Sequence, residues 1–414
     1  MRLLLVLNGG PEHPSTRFRV LQYLDRLRSR GIEPEILVAK RAEGYGPLLL
    51  RRRAGQSDAV LIQKKLLSPW KLRLLPQGVP VAFDFDDAIF EVSPSESARY
   101  GQEKAERRAA ARRRRLRAAL GRAALVLAGN RFLQEQAARL APARGGRIEI
   151  LPTGVDLAPF PEERVHAAAA QRAASGAGPR IGWIGSRASL RYLAALAAPL
   201  RAACARVPGA RLVQVCNDFL DLPGVPTEKV LWSAEREAGD LLGFDVGLMP
   251  IDDRPFSRGK CGLKILQYQA AGVPLVCSPV GANLEIVEEG VSGLFASGEG
   301  EWTQAIVRLL TDRESGRRLA AAGRARVEAV YSADRIGARL ADALASLPAA
   351  AGRPRRRRGA VTTPEAGAPA SGGRDDAARE PRKGGDEPQE HERLLVPDHL
   401  RERPAILPAG VRPQ

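Results

Sequence analysis

The sequence predicts two doubly wound α/β domains in tandem, each built on a parallel sheet. Three observations carry this. Short continuous apolar runs alternate with stretches of helical spacing, the pattern of strands buried on both faces. The alternation pauses in the Ala-, Gly- and Pro-rich stretch 161–179 and then starts again. A length of 414 residues, at about 150 per domain, leaves room for two such units and a tail.

The elements follow in order. Leu3 to Leu7 is a buried strand that ends at Gly9-Gly10, and Phe18 to Leu27 carries apolar residues at helical spacing until Gly31 stops it. Ile36 to Val38 is the next strand, so the chain opens β-α-β. Further strands are expected at Ala59–Ile62, Val81–Phe83, Ala124–Leu127 and Ile148–Leu151, completing a first domain over residues 1–160. Residues 161–179 read as a linker or linker helix. The second domain, 180–347, opens with the strand Ile181–Ile184 and a turn at Gly185. A helix over Leu190–Val207 follows, with strands at Arg211–Val215, Lys229–Trp232, Phe244–Met249 and Pro274–Cys277. A helix from Lys264 to Ala271 stops at Gly272, and helices over Trp302–Leu310, Ser315–Val330 and Ala333–Leu347 close the domain. The tail 348–414 is dense in Pro, Gly, Arg and Glu. It buries too little apolar surface to fold alone and is expected to be disordered.

Composition narrows the function classes. Hydrophobic residues make up 44% and aromatics 5%, so the cores are built from Ala, Leu and Val. Four cysteines, Cys204, Cys216, Cys261 and Cys277, form no C-x-x-C pair, which argues against a disulfide scaffold or structural zinc and fits a reducing compartment. The first apolar run breaks at Asn8, too soon for a signal peptide, and no stretch reaches the ~20 apolar residues of a membrane span. A cytoplasmic protein is expected, with peripheral contact to the inner face of a membrane as an option. The net charge is +17, and residues 1–165 alone carry +12, so an acidic partner belongs to that half. Its densest basic run is Arg107–Arg117. A solvated helix face explains that run most simply. An anionic lipid surface comes second, and nucleic acid last, because stacking aromatics are missing nearby.

The segment 256–283 carries the clearest chemistry. A loop with Arg258, Gly259 and Lys260 leads through Gly262 into a helix bearing Lys264 and Gln267. Free N–H groups at a helix start, close backbone approach at glycine and two lysines make an anion site that suits a diphosphate. By itself this pattern is no more telling than an ordinary solvated helix start. Asp84-Phe85-Asp86-Asp87 follows the strand Val81–Phe83 and contains D-x-D, a pattern that elsewhere holds a divalent metal. Two aspartates without further ligands are weak evidence for one. Asp86 or Asp87 is instead expected to line a cleft and orient an acceptor hydroxyl.

The run G-K-C-G-L-K-I-L-Q-Y-Q-A-A-G-V-P-L-V, then S-P-V-G-x-N-x-E-I-V and G-x-S-G-L, resembles the donor-binding half of glycosyltransferase family 4. Leu151-Pro152-Thr153-Gly154-Val155-Asp156 resembles that family's domain junction. The Gly9-Gly10 loop followed by Arg17 and Arg19 resembles its N-terminal domain, and Ile181 to Ser186 its second-domain opening. The resemblance runs from about residue 1 to 347, in the family's order. It implies the two-domain GT-B fold, a nucleotide-sugar donor on the second domain, an acceptor on the first, and transfer with retention and without a metal or other cofactor. It makes Lys264 and Lys260 the expected catalytic cations beside Asp86 and Asp87. It assigns the donor to Gly185, Ser186, Arg187, Arg258, Gly259, Gly262, Gln267, Asn283 and Glu285. It assigns the acceptor side to Gly9, Gly10, His13 and Arg17.

One departure is visible. Where many members carry Glu-x7-Glu, this chain has Gly259 and Gln267, so it resembles a branch with Gly and Gln in those places. Gln267 keeps an amide that can bond ribose hydroxyls. Three rivals stay in view: a sugar-nucleotide epimerase of the same fold, a silent scaffold, which the missing Glu pair supports, and a basic nucleic-acid binder.

Overall fold

The computed structural model describes residues 1–38, 46–141 and 146–349. The expected tail, 348–414, lies outside the described residues from 350 onward.

Two six-stranded, fully parallel sheets form. The first comprises β1 (Arg2–Leu7), β2 (Glu33–Val38), β3 (Ala59–Gln63), β4 (Val81–Phe85), β5 (Leu125–Ala128) and β6 (Arg147–Ile150), in the order β2-β1-β3-β4-β5-β6. The second comprises β7 (Arg180–Ile184), β8 (Arg211–Cys216), β9 (Thr227–Leu231), β10 (Val246–Met249), β11 (Leu275–Cys277) and β12 (Leu294–Phe295), in the order β12-β11-β10-β7-β8-β9. The second order is that of a doubly wound dinucleotide-binding sheet. Each order reverses once, between β1 and β3 and between β7 and β10, and the crevices beyond these reversals receive the ligand in such folds.

Alternation along the strands builds a core on each face. Leu4 and Val6 turn to one face of the first sheet, with Val60, Ile62 and Phe83. There they meet Leu116 and Leu120 of the helix Gln102–Arg122. Leu3, Leu5 and Leu7 turn to the other face. That second face is covered from both ends of the chain. Val20, Tyr23 and Leu27 pack on it, and so do Ile336, Leu340 and Leu344 of the last described helix, Ala333–Ala345. This corrects the expected boundary of the second domain at 347: the closing helix serves the first sheet. Its apolar residues recur on one helical face, and the short helices near the N-terminus leave that much of the sheet uncovered. The two crossings run side by side, Val155 N–H donating to the Tyr331 carbonyl at 2.9 Å and Ala333 N–H to the Val155 carbonyl at 2.8 Å.

Two helices expected to be continuous are broken. Phe18–Leu27 divides into Pro14–Arg19, a 3-10 turn and Leu24–Ser29, because Val20 leaves the helical region at φ −136°. Leu190–Val207 divides into Leu190–Ala194 and Ala197–Arg206. Stretch 161–179 contains a helix, Glu162–Ala174, whose Val165 and Ala168 pack on the second sheet's core.

Candidate functional site

A cleft of about 1070 Å³ lies where the carboxyl ends of both sheets meet. Each wall is made of loops that follow strands. The first sheet contributes His13, Ser15 and Arg17 after β1, Lys64 after β3, and Asp86 and Asp87 after β4. The second contributes Gly185, Ser186 and Arg187 after β7, Asn217 after β8, and Trp232 and Glu237 after β9. Lys260, Gly262, Lys264 and Gln267 follow β10.

On the second wall, Gly262 caps the helix Leu263–Ala270 at φ +65°, and a side chain there would run into Ile286. The first turn of that helix leaves its N–H groups without intrahelical acceptors, and they open on the cleft. Lys264 stands in this turn with its Nζ 4.4 Å from the centre of the Trp183 ring. Burial, and then the neighbouring Lys260 charge, push the Lys264 ammonium down to about 7. It has no carboxylate partner among the described residues. A half-neutral lysine beside a second lysine and a helix start is a site prepared for an anion. Lys260 lies over Phe256 at 5.2 Å. Gln267 is buried and faces the same space.

The first wall is more heavily charged than its sequence suggests. Arg19, fully buried, bonds both carboxylate oxygens of Asp84 and donates to the Leu151 carbonyl at 2.7 Å. Above this pair the Lys64 ammonium donates to Ser15 Oγ at 2.9 Å and to Asp87, and stands 3.1 Å from Asp86 Oδ1. Burial works against the Asp86 charge, but Lys64 and Arg19 outweigh it and hold this carboxyl below the usual range. The first aspartate of D-x-D is therefore taken by Arg19, and the second, with its neighbour Asp87, closes on an internal ammonium. His13 lines the cleft with its pKa lowered by burial and then by Lys64, and its Nδ1 has no partner.

Several expected site residues stand elsewhere. Arg258 turns away to a bidentate pair with Asp253, at 2.6 and 2.9 Å. Gly259 faces the first domain: an added Cβ would lie 2.5 Å from Ala88 Cβ and 2.6 Å from Ala88 N. No side chain fits there in this arrangement, which is the physical reason glycine stands where a Glu was looked for. Asn283 is fully buried, donating to the Ser278 carbonyl at 2.9 Å, and Glu285 accepts from Arg131 N–H at 3.1 Å. Gly9 and Gly10 shape the loop behind His13 without lining the cleft: the Gly10 carbonyl accepts from His13 N–H at 3.1 Å. Arg187 reaches the cleft but pairs with Asp218 at 3.2 Å and is 86% exposed. The loop N–H groups of Gly185 and Ser186 are also taken, by the Val215 carbonyl and by Ser189 Oγ, each at 3.0 Å.

Sequence reasoning missed Lys64, Ser15, Trp232, Glu237 and Asn130. Arg17 spans the cleft, donating to Glu237 Oε1 at 3.0 Å, and Trp232 Nε1 donates to Glu237 Oε2 at 2.8 Å. Asn130 Nδ2 donates to the carbonyls of Arg258 and Lys260, each at 3.0 Å, and fixes the lysine loop from the opposite domain. The signal that could have found Lys64 was its place directly after a buried strand adjoining the switch point.

Residues 239–312 match the family described as Glycosyl transferases group 1. Over 231 residues the chain is 29% identical to the GDP-mannose-dependent alpha-(1-6)-phosphatidylinositol monomannoside mannosyltransferase of Mycobacterium tuberculosis. That match takes in 50% of this chain and 58% of the relative, so the chain spans little more than half the length of the curated protein it matches. Sucrose-phosphate synthase from Thermosynechococcus elongatus is similar in structure, with a TM-score of 0.63 at 17% identity over 83% of this chain and 98% of that one. Anabaena HepE in complex with UDP and glucose gives 0.58 at 16% identity, over 84% and 99%. At such identities these structures speak for the fold. The fold is thus the two-domain GT-B architecture, and within it the segment 239–312 is similar to the group 1 glycosyltransferases.

Proposed function

We propose that the protein transfers a sugar from a nucleoside-diphosphate sugar to an acceptor hydroxyl, with the donor on the second domain and the acceptor on the first. The observation that carries this is the pairing of walls in one cleft. Lys260, Lys264 and a helix start stand on one side, and Asp86, Asp87 and His13 on the other. A neighbour of the same fold holds UDP and glucose. The leaving diphosphate would be stabilised by Lys264, Lys260 and the helix N–H groups, which supply the positive charge that a divalent cation supplies elsewhere. Retention of the anomeric configuration, as the family resemblance implies, is part of the proposal. In that course the acceptor attacks on the face from which the diphosphate leaves, and a bound acceptor displaces the water that otherwise hydrolyses the donor slowly.

The experiment is a thermal-shift panel of UDP-, GDP- and ADP-sugars with their free diphosphates, with and without EDTA. A donor well above its Kd stabilises the fold by about 3 kcal/mol through mass action. One donor should do so in EDTA, and lose the effect in Lys264→Ala. No shift with any nucleotide would remove the reading.

A second reading rests on Gly259. With Ala88 filling the space of the usual Glu, the protein could hold donor without turning it over. Stabilisation by a donor sugar with no sugar release on prolonged incubation would identify that case.

The acceptor side also carries a basic face. Arg114 and Arg117 of helix Gln102–Arg122 make no ion pair among the described residues. The helix Pro69–Arg73, packed on the same helix, exposes 52% of Trp70. This supports an anionic membrane surface as the place where the acceptor is met. Sedimentation with anionic but not zwitterionic vesicles, abolished in Arg114→Glu/Arg117→Glu, would establish it. No helix among the described residues is long and apolar enough to cross a membrane.

A further inference from the structure

Among the described residues, Lys64 alone of the non-glycine positions has a positive φ, +59°. Such a conformation persists where the surroundings over-determine it, and it recurs at functional sites. Here the surroundings are specific. The Lys64 backbone N–H donates to the Asp84 carbonyl at 2.6 Å. The side chain, 9% exposed, ends on Ser15, Asp86 and Asp87. Ser15 belongs to the helix after β1, and the aspartates to the loop after β4. One ammonium therefore ties together the carboxyl ends of three adjacent strands, β1, β3 and β4. All four residues line the cleft.

The other charges nearby are already committed. Arg19 is spent on Asp84 and the Leu151 carbonyl. The His13 imidazolium is disfavoured by burial and by Lys64 itself. Cys261, reaching across from the second domain, donates its thiol to the Asp86 carbonyl at 3.2 Å, and burial holds that thiol neutral. Lys64 is thus the cation in direct contact with Asp87 among the described residues. Asp87 is the more open of the two carboxylates, 29% exposed against 13%.

We propose that Lys64 is a positioning residue for sugar transfer: its ammonium holds the Asp87 carboxylate aimed into the cleft, where it accepts a hydrogen bond from the attacking hydroxyl. This rests on the donor-sugar reading above. In the step itself the bond between the anomeric carbon and the diphosphate oxygen breaks, its electron pair leaving with the phosphate. The acceptor oxygen bonds to the anomeric carbon, and its one proton, hydrogen-bonded to Asp87 before attack, turns to the departing phosphate oxygen as charge develops there. Asp87 orients the hydroxyl and Lys64 orients Asp87. Loss of the ammonium would leave two adjacent carboxylates facing each other, and one of them would hold a proton to higher pH.

The test uses the full chain with whichever of UDP-glucose or GDP-mannose stabilises it, and water as acceptor, following release of free sugar against pH. Lys64→Met should keep the donor-induced thermal shift and release sugar at least tenfold more slowly. The acid limb of its pH profile should move upward by a unit or more. Lys64→Arg should bring the limb back towards the native position, and Lys64→Met/Asp87→Asn should be no slower than the slower single variant. Carboxyl 13C titration of aspartate-labelled protein gives the same comparison without turnover. Native-like release, or slower release with an unmoved limb and unmoved carboxyl titration, would overturn the proposal. If Lys64→Met does not fold, Ser15→Ala removes one anchor and leaves the charge: a smaller upward shift supports the proposal and none overturns it. Donor stabilisation together with a native-like Lys64→Met profile removes this proposal alone. Absence of any donor stabilisation in the native protein removes the donor reading, and this proposal with it.

Discussion

Lys264 has the same residue type as Lys64 and the opposite electrostatics. Lys64 is buried among carboxylates, and its pKa is raised despite burial because Asp86 and Asp87 outweigh the lost hydration. Lys264 is buried beside another lysine and over an indole, and its pKa falls to about 7. The sign of the consequence follows. In the empty protein the Lys264 proton is lost as pH rises through about 7, while a bound diphosphate retains it. Donor binding above that pH takes up a proton, so affinity should fall by up to about tenfold per pH unit above 7. Titration calorimetry in buffers of different ionisation enthalpy would read that proton directly, and pH-independent affinity from 6 to 9 would contradict it. The same depression means the unfolded chain binds this proton more readily than the empty fold between pH 7 and the ordinary lysine range. Lys264→Met should therefore melt at a higher temperature than the native protein at pH 7 without ligand, while losing the donor-induced shift.

At the scale of elements, the informative feature is how loops from one sheet leave room for loops from the other. Gly259 faces Ala88 so closely that Gly259→Ala overpacks the contact, at a cost of about 1–3 kcal/mol. Ala88→Gly in the same chain should recover only part of that loss in a thermal melt, because the Ala88 backbone N stays 2.6 Å from the added Cβ. Additive destabilisation by the two changes would show that they do not meet. The closing helix Ala333–Ala345 tests a different packing. Leu340 is buried against the first sheet's core, with Leu3, Leu5 and Tyr23 in the same cluster. Leu340→Ala should cost about 2–5 kcal/mol in denaturant unfolding. The loss should fall on the unit containing β1, although the residue lies some 330 positions later.

At the scale of the molecule, named polar ties join the two halves across the cleft. Arg17 meets Glu237 and stacks over Trp232 at 5.7 Å, Asn130 holds the carbonyls of Arg258 and Lys260, and Glu285 caps Arg131. These contacts are polar and partly exposed, and each is worth about 1 kcal/mol. Such ties can be exchanged for contacts to a ligand when the halves open and close. Arg17→Ala/Asn130→Ala should widen the cleft, read as a larger radius of gyration in small-angle scattering. A bound donor should reverse much of that change, and an unchanged radius would show that other contacts set the domain angle.

The strands were legible because each is a short apolar run bounded by turn residues, and the second-domain wall because glycines and lysines cluster within one segment. Lys264, Lys260, Gly262 and Gln267 stand in sequence as they stand in the cleft. What the sequence could not decide was anything that depends on a partner far along the chain. Arg258 and Lys260 are two residues apart, yet one pairs with Asp253 at the surface and the other faces the cleft. Gly259 read as a lost carboxylate until Ala88 was found against it. The last helix carries a clear apolar face, but which sheet it covers depends on where the chain crosses back beside Val155. Local periodicity, turn chemistry and charge thus determined the elements, the two-sheet class and the lysine-bearing wall, because these follow from neighbouring residues. The tertiary structure alone decided the first-domain wall, where Lys64 takes a left-handed conformation to bring its ammonium to Ser15, Asp86 and Asp87. That charge balance exists only once three strands lie side by side.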